Sequence, residues 1–137
     1  MEILLKDFFE FKILIVDDLP SMRENLNSVL RELGFKYTQD TSDGREGMEY
    51  AVDKARYEIP YDLIFVDIHM PVMDGITLLK NLRSMDSYKK TPIFMVSTEN
   101  EKDIIIKSIL NGATDYILKP YDINLVNKKL ITVLAKK

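Results

Sequence analysis

The sequence places acidic, hydroxyl and basic side chains directly after short apolar runs. In chain order these residues are Asp17, Asp18, Asp67, Ser97 and Lys119. Carboxylates that share a poorly solvated cleft repel one another strongly unless a hard divalent cation lies among them. Magnesium is the natural candidate, because it favours oxygen ligands and is commonly held by carboxylates together with phosphate oxygens. The set therefore indicates a Mg²⁺-dependent phosphoryl-transfer site.

Phosphoryl transfer suits these residue types. The transferred group spreads its charge over its equatorial oxygens, so the reaction needs positioned cations and hydrogen-bond donors more than a general base. The Ser97 hydroxyl and the Lys119 ammonium would supply such partners. The carboxylate of Asp67 would be the nucleophile, as in aspartyl-phosphate chemistry.

Each residue also has a structural explanation when it is taken alone. Asp18 and Ser97 could cap helices, and Lys119 could be a solvated surface lysine. Tyr116 would most often be an aromatic residue at the edge of the core. Unrelated caps have no reason to place acids, a hydroxyl and a lysine at successive strand ends, so the combination favours a site.

The elements that would position these residues alternate between apolar runs and segments of helical periodicity. Runs that resemble strands, the second of them weak, lie at residues 12–16, 35–39, 63–66, 93–96 and 116–118. Helical patterns lie at residues 22–33, 44–56, 75–85, 100–111 and 122–136, with glycine stops at Gly34 and Gly112. Repeated βα units with right-handed crossovers predict an α/β doubly wound, flavodoxin-like parallel sheet of strand order 2-1-3-4-5, with five helices. The ligand site of such a sheet lies outside the carboxyl ends of its strands, where the polar residues fall.

Composition narrows the function classes. The chain has 137 residues and 46% hydrophobic content, which fits one domain at 11–137 preceded by an extension at 1–10. Its net charge of −3 provides no strong positive field for nucleic acid. Cysteine is absent, which excludes disulfides and cysteine nucleophiles.

The first ten residues have no basic start and no apolar run long enough for a signal peptide or a membrane span, so a cytoplasmic location is expected. Ile3, Leu4, Leu5, Phe8 and Phe9 could form a short amphipathic turn against the domain. A disordered or vector-derived leader is the alternative.

Three stretches resemble a known family. Residues 13–18 (ILIVDD), 66–75 (VDIHMPVMDG) and 116–120 (YILKP) are similar to the receiver domains of two-component response regulators. The resemblance extends over about residues 11–136 and, in softer motifs such as Ser21-Met22-Arg23, favours the chemotaxis or CheY-like branch. It implies a signalling switch that a histidine kinase phosphorylates.

The same resemblance implies a role for each site residue. Asp67 is the phosphoacceptor. Mg²⁺ is held by Asp18, Asp67 and the backbone carbonyl of His69, while Asp17 acts through water or by orienting the others. The His69 imidazole borders the entrance of the site, where it could tune the lifetime of the phosphoryl group.

Ser97 resembles the switch hydroxyl of the family and Tyr116 its switch aromatic. Phosphorylation adds about −1.5 to −2 charges, which would draw Ser97 inward and make room for the Tyr116 ring. The output face is expected on the fourth helix, fifth strand and fifth helix. With Glu99, Lys102 and Lys107 on it, we expect a polar face of mixed charge that docks a downstream partner.

Three local features complete the comparison with the family. The Lys119–Pro120 bond is expected to be cis, on resemblance alone. Thr98 stands where the family often has Ala or Gly, and its bulk could narrow access to the phosphoryl group. The loop at residues 57–61 is a few residues longer than usual.

Alternative functions remain. A hydrolase of the haloacid-dehalogenase type would need a second Asp where this chain has His69, so we expect an acceptor with autodephosphorylation, and no turnover enzyme. A scaffolding pseudo-receiver typically lacks an acid or the lysine. Among true receivers, an effector of the flagellar motor competes with a phosphorelay shuttle to a histidine phosphotransfer protein. We expect a monomer and leave dimerisation on activation open.

Overall fold

The computed structural model describes residues 5–135, and a five-stranded parallel sheet with helices on both faces fills most of them. The strands are β1 (Lys12–Val16), β2 (Tyr37–Thr41), β3 (Leu63–Val66), β4 (Ile93–Ser97) and β5 (Asp115–Leu118). The α-helices are α1 (Pro20–Leu33), α2 (Gly44–Arg56), α3 (Gly75–Arg83), α4 (Lys102–Leu110) and α5 (Ile123–Leu134). Short 3₁₀ turns lie at Leu5–Phe8 and Asp86–Tyr88.

The strand order is β2-β1-β3-β4-β5, and every neighbouring pair is parallel. This order confirms the predicted doubly wound, flavodoxin-like fold. Because all strands point the same way, their carboxyl ends meet at one edge of the sheet.

Alternate side chains of the central strands enter two separate cores. Leu14, Ile64 and Met95 pack with buried residues of α2 and α3 on one face. Ile15 and Phe65 pack with buried residues of α1 and α5 on the other face. Burial on both faces explains why these strands are continuous apolar runs in the sequence.

The position predicted for the second strand was wrong by two residues, since the structure has Tyr37–Thr41 and not 35–39. Gly34 ends α1 in the left-handed region, at φ 110°, and the Phe35 N–H donates to the Leu30 carbonyl at 3.0 Å. Phe35 is therefore a buried residue that closes the helix end. β2 is an edge strand whose residues are mostly exposed, so no apolar run marks its place.

Three helices are shorter than their periodicity suggested. The helices predicted at 75–85, 100–111 and 122–136 are Gly75–Arg83, Lys102–Leu110 and Ile123–Leu134 in the structure. Residue 136 lies outside the described part of the chain. Asp74 and Asp122 fix two of the starts, because their carboxylates accept N–H bonds from the first turns.

The N-terminal extension contains the short turn that its apolar residues predicted. Leu5 is buried, and Phe8 and Phe9 pack against the core beside α1 and α5. Ile3 and Leu4 lie outside the described residues. The boundary at residue 10 stays a prediction. None of the described helices is both long and apolar enough to span a membrane.

Tyr88 links three separate parts of the fold. Its side chain is fully buried, its hydroxyl donates to the Ala51 carbonyl in α2 at 2.7 Å, and it accepts the Tyr61 N–H before β3 at 3.3 Å. A single buried hydroxyl thus forms hydrogen bonds with two backbone groups from different parts of the chain.

Tyr88→Phe should lower the free energy of unfolding by about 1–3 kcal/mol, because it leaves the buried Tyr61 N–H without its acceptor and removes the hydroxyl bond to the Ala51 carbonyl. Urea denaturation monitored by circular dichroism measures this difference. Tyr57→Phe is the control, since Tyr57 is 68% exposed, and it should change stability by less than about 0.5 kcal/mol. Equal effects of the two substitutions would contradict the role given to the Tyr88 hydroxyl.

Candidate functional site

The carboxyl edge of the sheet carries the three predicted acids. Asp17 and Asp18 follow β1, and Asp67 follows β3, which lies next to β1. One carboxylate oxygen from each acid lies within 4.8 Å of the others. Asp17 and Asp67 are buried, and Asp18 is partly exposed. The acids therefore form a single cluster, which we call the acidic crevice.

Lys119, directly after β5, enters the acidic crevice. Its Nζ lies 2.7 Å from Asp17 Oδ2 and 3.9 Å from Asp67 Oδ2. The lysine side chain is only 7% exposed, so the explanation as a solvated surface lysine is wrong. The bond between Lys119 and Pro120 is cis, as expected.

Asp67 is held closely by the backbone around it. The Ile68 N–H donates to Asp67 Oδ1 at 2.8 Å, and the Gly75 N–H donates to the Ile68 carbonyl at 2.8 Å. A Cβ on Gly75 would collide with the Asp67 carbonyl oxygen. Only glycine lets the start of α3 approach the strand end so closely. The bond from the Ile68 N–H orients the Asp67 carboxylate.

Burial raises the pKa of the Asp67 carboxyl above its ordinary value. The positive charge of Lys119 opposes this shift, the nearby Asp17 carboxylate reinforces it, and bonds from Ile68 N–H and the Ser97 hydroxyl oppose it more weakly. Within the described residues this cluster thus has more negative charge than its lysine compensates. A hard divalent cation with oxygen ligands fits that donor set.

Ser97 ends β4 and does not cap α4. Its Oγ accepts the Glu99 N–H at 3.2 Å, whereas the cap residue of α4 is Glu101. Tyr116 is 8% exposed, and its hydroxyl donates to the Glu99 carbonyl at 2.6 Å. Burial raises the Tyr116 pKa. The hydroxyl and the aromatic residue predicted to act as a switch thus contact the same backbone segment.

His69 follows Asp67 by two residues, and its imidazole is 63% exposed, while its predicted place at the entrance of the crevice stays a prediction. Its Nε2 is 3.0 Å from Glu99 Oε2, and Glu99 Oε1 accepts the Glu101 N–H at 2.9 Å. These two bonds, the Glu101 N–H first, hold the Glu99 pKa below its ordinary value. Glu99 therefore joins the loop after β3 to the loop before α4, a contact that the sequence did not indicate.

The predicted output face is less polar than expected. Besides the charged Lys102 and Lys107, it exposes large apolar side chains of α4 and β5. These are Ile106 (44%), Ile109 (45%), Leu110 (80%) and Leu118 (41%). The sequence did not reveal their exposure, because an apolar residue in a predicted helix or buried strand is normally assigned to the core. Thr98, directly after Ser97, is exposed.

A doubly wound parallel sheet whose strand ends bear clustered carboxylates and a buried lysine defines the class of phosphoryl-accepting receiver domains. Comparison with known families agrees. The profile described as "Response regulator receiver domain" matches residues 13–131. The chain belongs to the response regulator receiver domain family.

Several chemotaxis proteins are similar to this chain. Chemotaxis protein CheY-3 of Vibrio cholerae is 36% identical over 125 residues, which covers 91% of this chain and 92% of that protein. The structure of Vibrio cholerae CheY4 has a TM-score of 0.80 and 35% identity, and the match covers 90% of this chain and 98% of that one. A CheX-CheY-BeF₃-Mg²⁺ complex from Borrelia burgdorferi has a TM-score of 0.84 and 28% identity, with 97% and 96% covered. The chain is therefore CheY-like.

Asp67→Asn should stabilise the metal-free protein at neutral pH, because it removes a buried carboxylate that Asp17 repels. Since folding raises the Asp67 pKa, this carboxyl favours the folded state below its unfolded pKa and loses that contribution as pH rises through its folded pKa. The stability gap between variant and parent should therefore close as the pH falls toward the ordinary value of 3.8.

Urea unfolding in buffer with a metal chelator, repeated from neutral to acidic pH, measures this gap. Asp53→Asn removes an exposed carboxylate of α2 and is the matched control, with an expected change of less than about 0.5 kcal/mol at every pH. If Asp67→Asn lowered the free energy of unfolding at neutral pH, the ionised Asp67 carboxylate would not be unfavourable in the folded protein, which would contradict this prediction.

Proposed function

We propose that this chain is a phosphorylatable signalling switch of a two-component system, which accepts a phosphoryl group from a histidine kinase on Asp67. The observation that supports the proposal most directly is the buried Asp67 carboxylate, set between two further acids and the Lys119 ammonium. Family membership and the similar chemotaxis proteins point the same way.

In the proposed transfer, an Asp67 carboxylate oxygen forms a bond to phosphorus while the bond from phosphorus to the kinase histidine nitrogen breaks. Lys119 and the Ser97 hydroxyl lie beside Asp67 and stabilise the negative charge of the transferred oxygens. When bound by Asp18, Asp67 and the His69 carbonyl, with Asp17 orienting the others, Mg²⁺ supplies further positive charge at these oxygens.

The proposed switch runs through the segment after β4. Ser97 Oγ and the Tyr116 hydroxyl both bond to the Glu99 backbone, so a shift of Ser97 toward a phosphorylated Asp67 changes the support of the Tyr116 ring. Tyr116 borders the face formed by α4, β5 and α5. Reorganisation of that face changes its affinity for a downstream partner in chemotaxis or flagellar motor control.

The chain acts in this proposal as a switch, with self-phosphorylation and autodephosphorylation as its only chemistry. In this proposal the chain is cytoplasmic and receives its phosphoryl group from a histidine kinase. It works as a monomer, and dimerisation on activation stays open. The complete set of acids and the lysine argues against a scaffolding pseudo-receiver, which would lack part of this set.

Incubation with acetyl phosphate and Mg²⁺ should add one phosphoryl group to the parent protein, as measured by intact mass. Asp67→Asn should give no adduct, because the nucleophilic oxygen is replaced by an amide, and omission of Mg²⁺ should reduce the adduct strongly. Asp53→Asn is again the control and should react as the parent does. No adduct on a folded parent that binds Mg²⁺ would overturn the proposal in favour of a blocked receiver, with Thr98 the first obstacle to remove.

The exposed apolar residues of α4 provide a test of the output face. Leu110→Asp should weaken binding of the beryllofluoride-activated protein to its partner by about tenfold or more, equivalent to about 1.4 kcal/mol, while the mass adduct stays unchanged. Ile59→Asp alters a side chain that is 44% exposed in the α2–β3 loop and should leave binding intact. Equal losses in both variants would place the docking surface elsewhere.

The identity of the partner class decides between the two receiver functions. Titration of the activated protein against a flagellar switch-protein peptide and against a histidine phosphotransfer domain separates them. Binding of the peptide, tighter after activation, supports the motor effector. Transfer of the phosphoryl group to the phosphotransfer domain identifies a phosphorelay shuttle.

A further inference from the structure

Arg23 of α1 contacts the chain directly beside the acidic crevice. Its Nη1 donates to the Asp17 backbone carbonyl at 2.7 Å, and its Nε donates to Asp40 Oδ2 at 3.0 Å. The Arg23 side chain is 17% exposed, although it lies near the surface of the fold. One guanidinium therefore joins the ends of β1 and β2 to the first turns of α1.

This contact completes a hydrogen-bond ladder that the backbone leaves unfinished. The Asp17 N–H donates to the Thr41 carbonyl at 3.1 Å, so the Asp17 carbonyl also points toward β2. β2 ends at Thr41, and the chain turns away into α2. A backbone carbonyl without a partner is costly, and the Arg23 guanidinium takes the place of the missing N–H.

The other polar atoms of Asp17 are also occupied. Its Oδ1 accepts the Leu19 N–H at 3.0 Å, and its Oδ2 accepts the Lys119 ammonium at 2.7 Å. Asp17 is thus fixed on every side. Because Asp18 is the next residue, the position of the Asp17 backbone determines how Asp18 is oriented in the crevice.

We propose that Arg23, oriented by Asp40, is a positioning residue that sets the Asp17–Asp18 turn for divalent-cation binding. The inference rests on the proposed function, because the cation is the one that phosphoryl transfer on Asp67 requires. Arg23 touches none of the reacting atoms and acts through the Asp17 carbonyl.

The direction of the change in Mg²⁺ affinity distinguishes a positioning role of Arg23 from a purely electrostatic one. Removal of a positive charge near a cation site strengthens cation binding by Coulomb's law. Arg23→Gln should nevertheless weaken Mg²⁺ binding, by about tenfold, the lower end of the loss seen when partners that orient metal ligands are removed. Arg31→Gln removes the same charge from an exposed position on the same helix and is the matched control.

Isothermal titration calorimetry of the full chain with Mg²⁺ measures these affinities. Arg23→Lys should give an intermediate affinity, because an ammonium is a point charge and does not reproduce the two-sided contact of the guanidinium. Asp40→Asn should weaken binding less than Arg23→Gln, and the double variant should be no weaker than Arg23→Gln alone, since both residues act through one contact.

Hydrogen exchange of the Leu19 amide in metal-free protein is a second readout, independent of the cation. Arg23→Gln should speed exchange at Leu19 and leave the β3 amides as protected as in the parent, while Arg31→Gln should change neither. Unchanged or tighter Mg²⁺ binding by Arg23→Gln, with an unchanged Leu19 amide, would overturn this inference and leave the proposed function standing. A parent protein that does not bind Mg²⁺ would overturn both.

Discussion

The repulsion among the carboxylates at the strand ends is the constraint on which the rest of this structure depends. Two of the three acids are buried, and one lysine alone among the described residues forms an ion pair with them. Such a cluster persists only where the surrounding fold fixes its members, because each acid would otherwise turn toward water. The parallel sheet provides this fixation, because the acids follow two hydrogen-bonded neighbours, β1 and β3, whose carboxyl ends meet at the same edge.

The close contacts around the crevice follow from the same constraint. Gly75 brings α3 against the Asp67 backbone, and the Ile68 N–H holds one Asp67 oxygen. Lys119 follows β5, which lies two places from β3 in the sheet, and its ammonium binds the Asp17 carboxylate. The buried carboxylate of Asp67 is unfavourable at this edge, and groups held at such a cost are common at functional sites, which agrees with the proposed role of the crevice.

The sequence predicted the fold and the members of the crevice well, because both depend on signals that lie close together in the chain. Strands that are buried on both faces are apolar runs, and a polar residue after such a run marks a strand end. Phe35 misled the assignment of β2, since it is a buried residue that closes a helix and no part of the strand. The contacts of Arg23 with Asp40 and of His69 with Glu99 join residues 17 and 30 positions apart, and nothing local in the sequence indicates them.

The apolar surface of α4 is connected to the acidic crevice through the contacts of Glu99. Glu99 accepts the Tyr116 hydroxyl at its carbonyl, donates its N–H to Ser97 and binds His69 through its carboxylate, while that carboxylate also accepts an N–H at the start of α4. A short segment therefore contacts the loop after β3, both residues of the proposed switch and the helix that exposes Leu110. Exposure of an apolar helix face to water is unfavourable, so its burial by a partner favours binding. A change in the position of this segment would alter how much of that face a partner can bury. In the proposed switch, these contacts connect the charge added at Asp67 to a change in affinity for the partner.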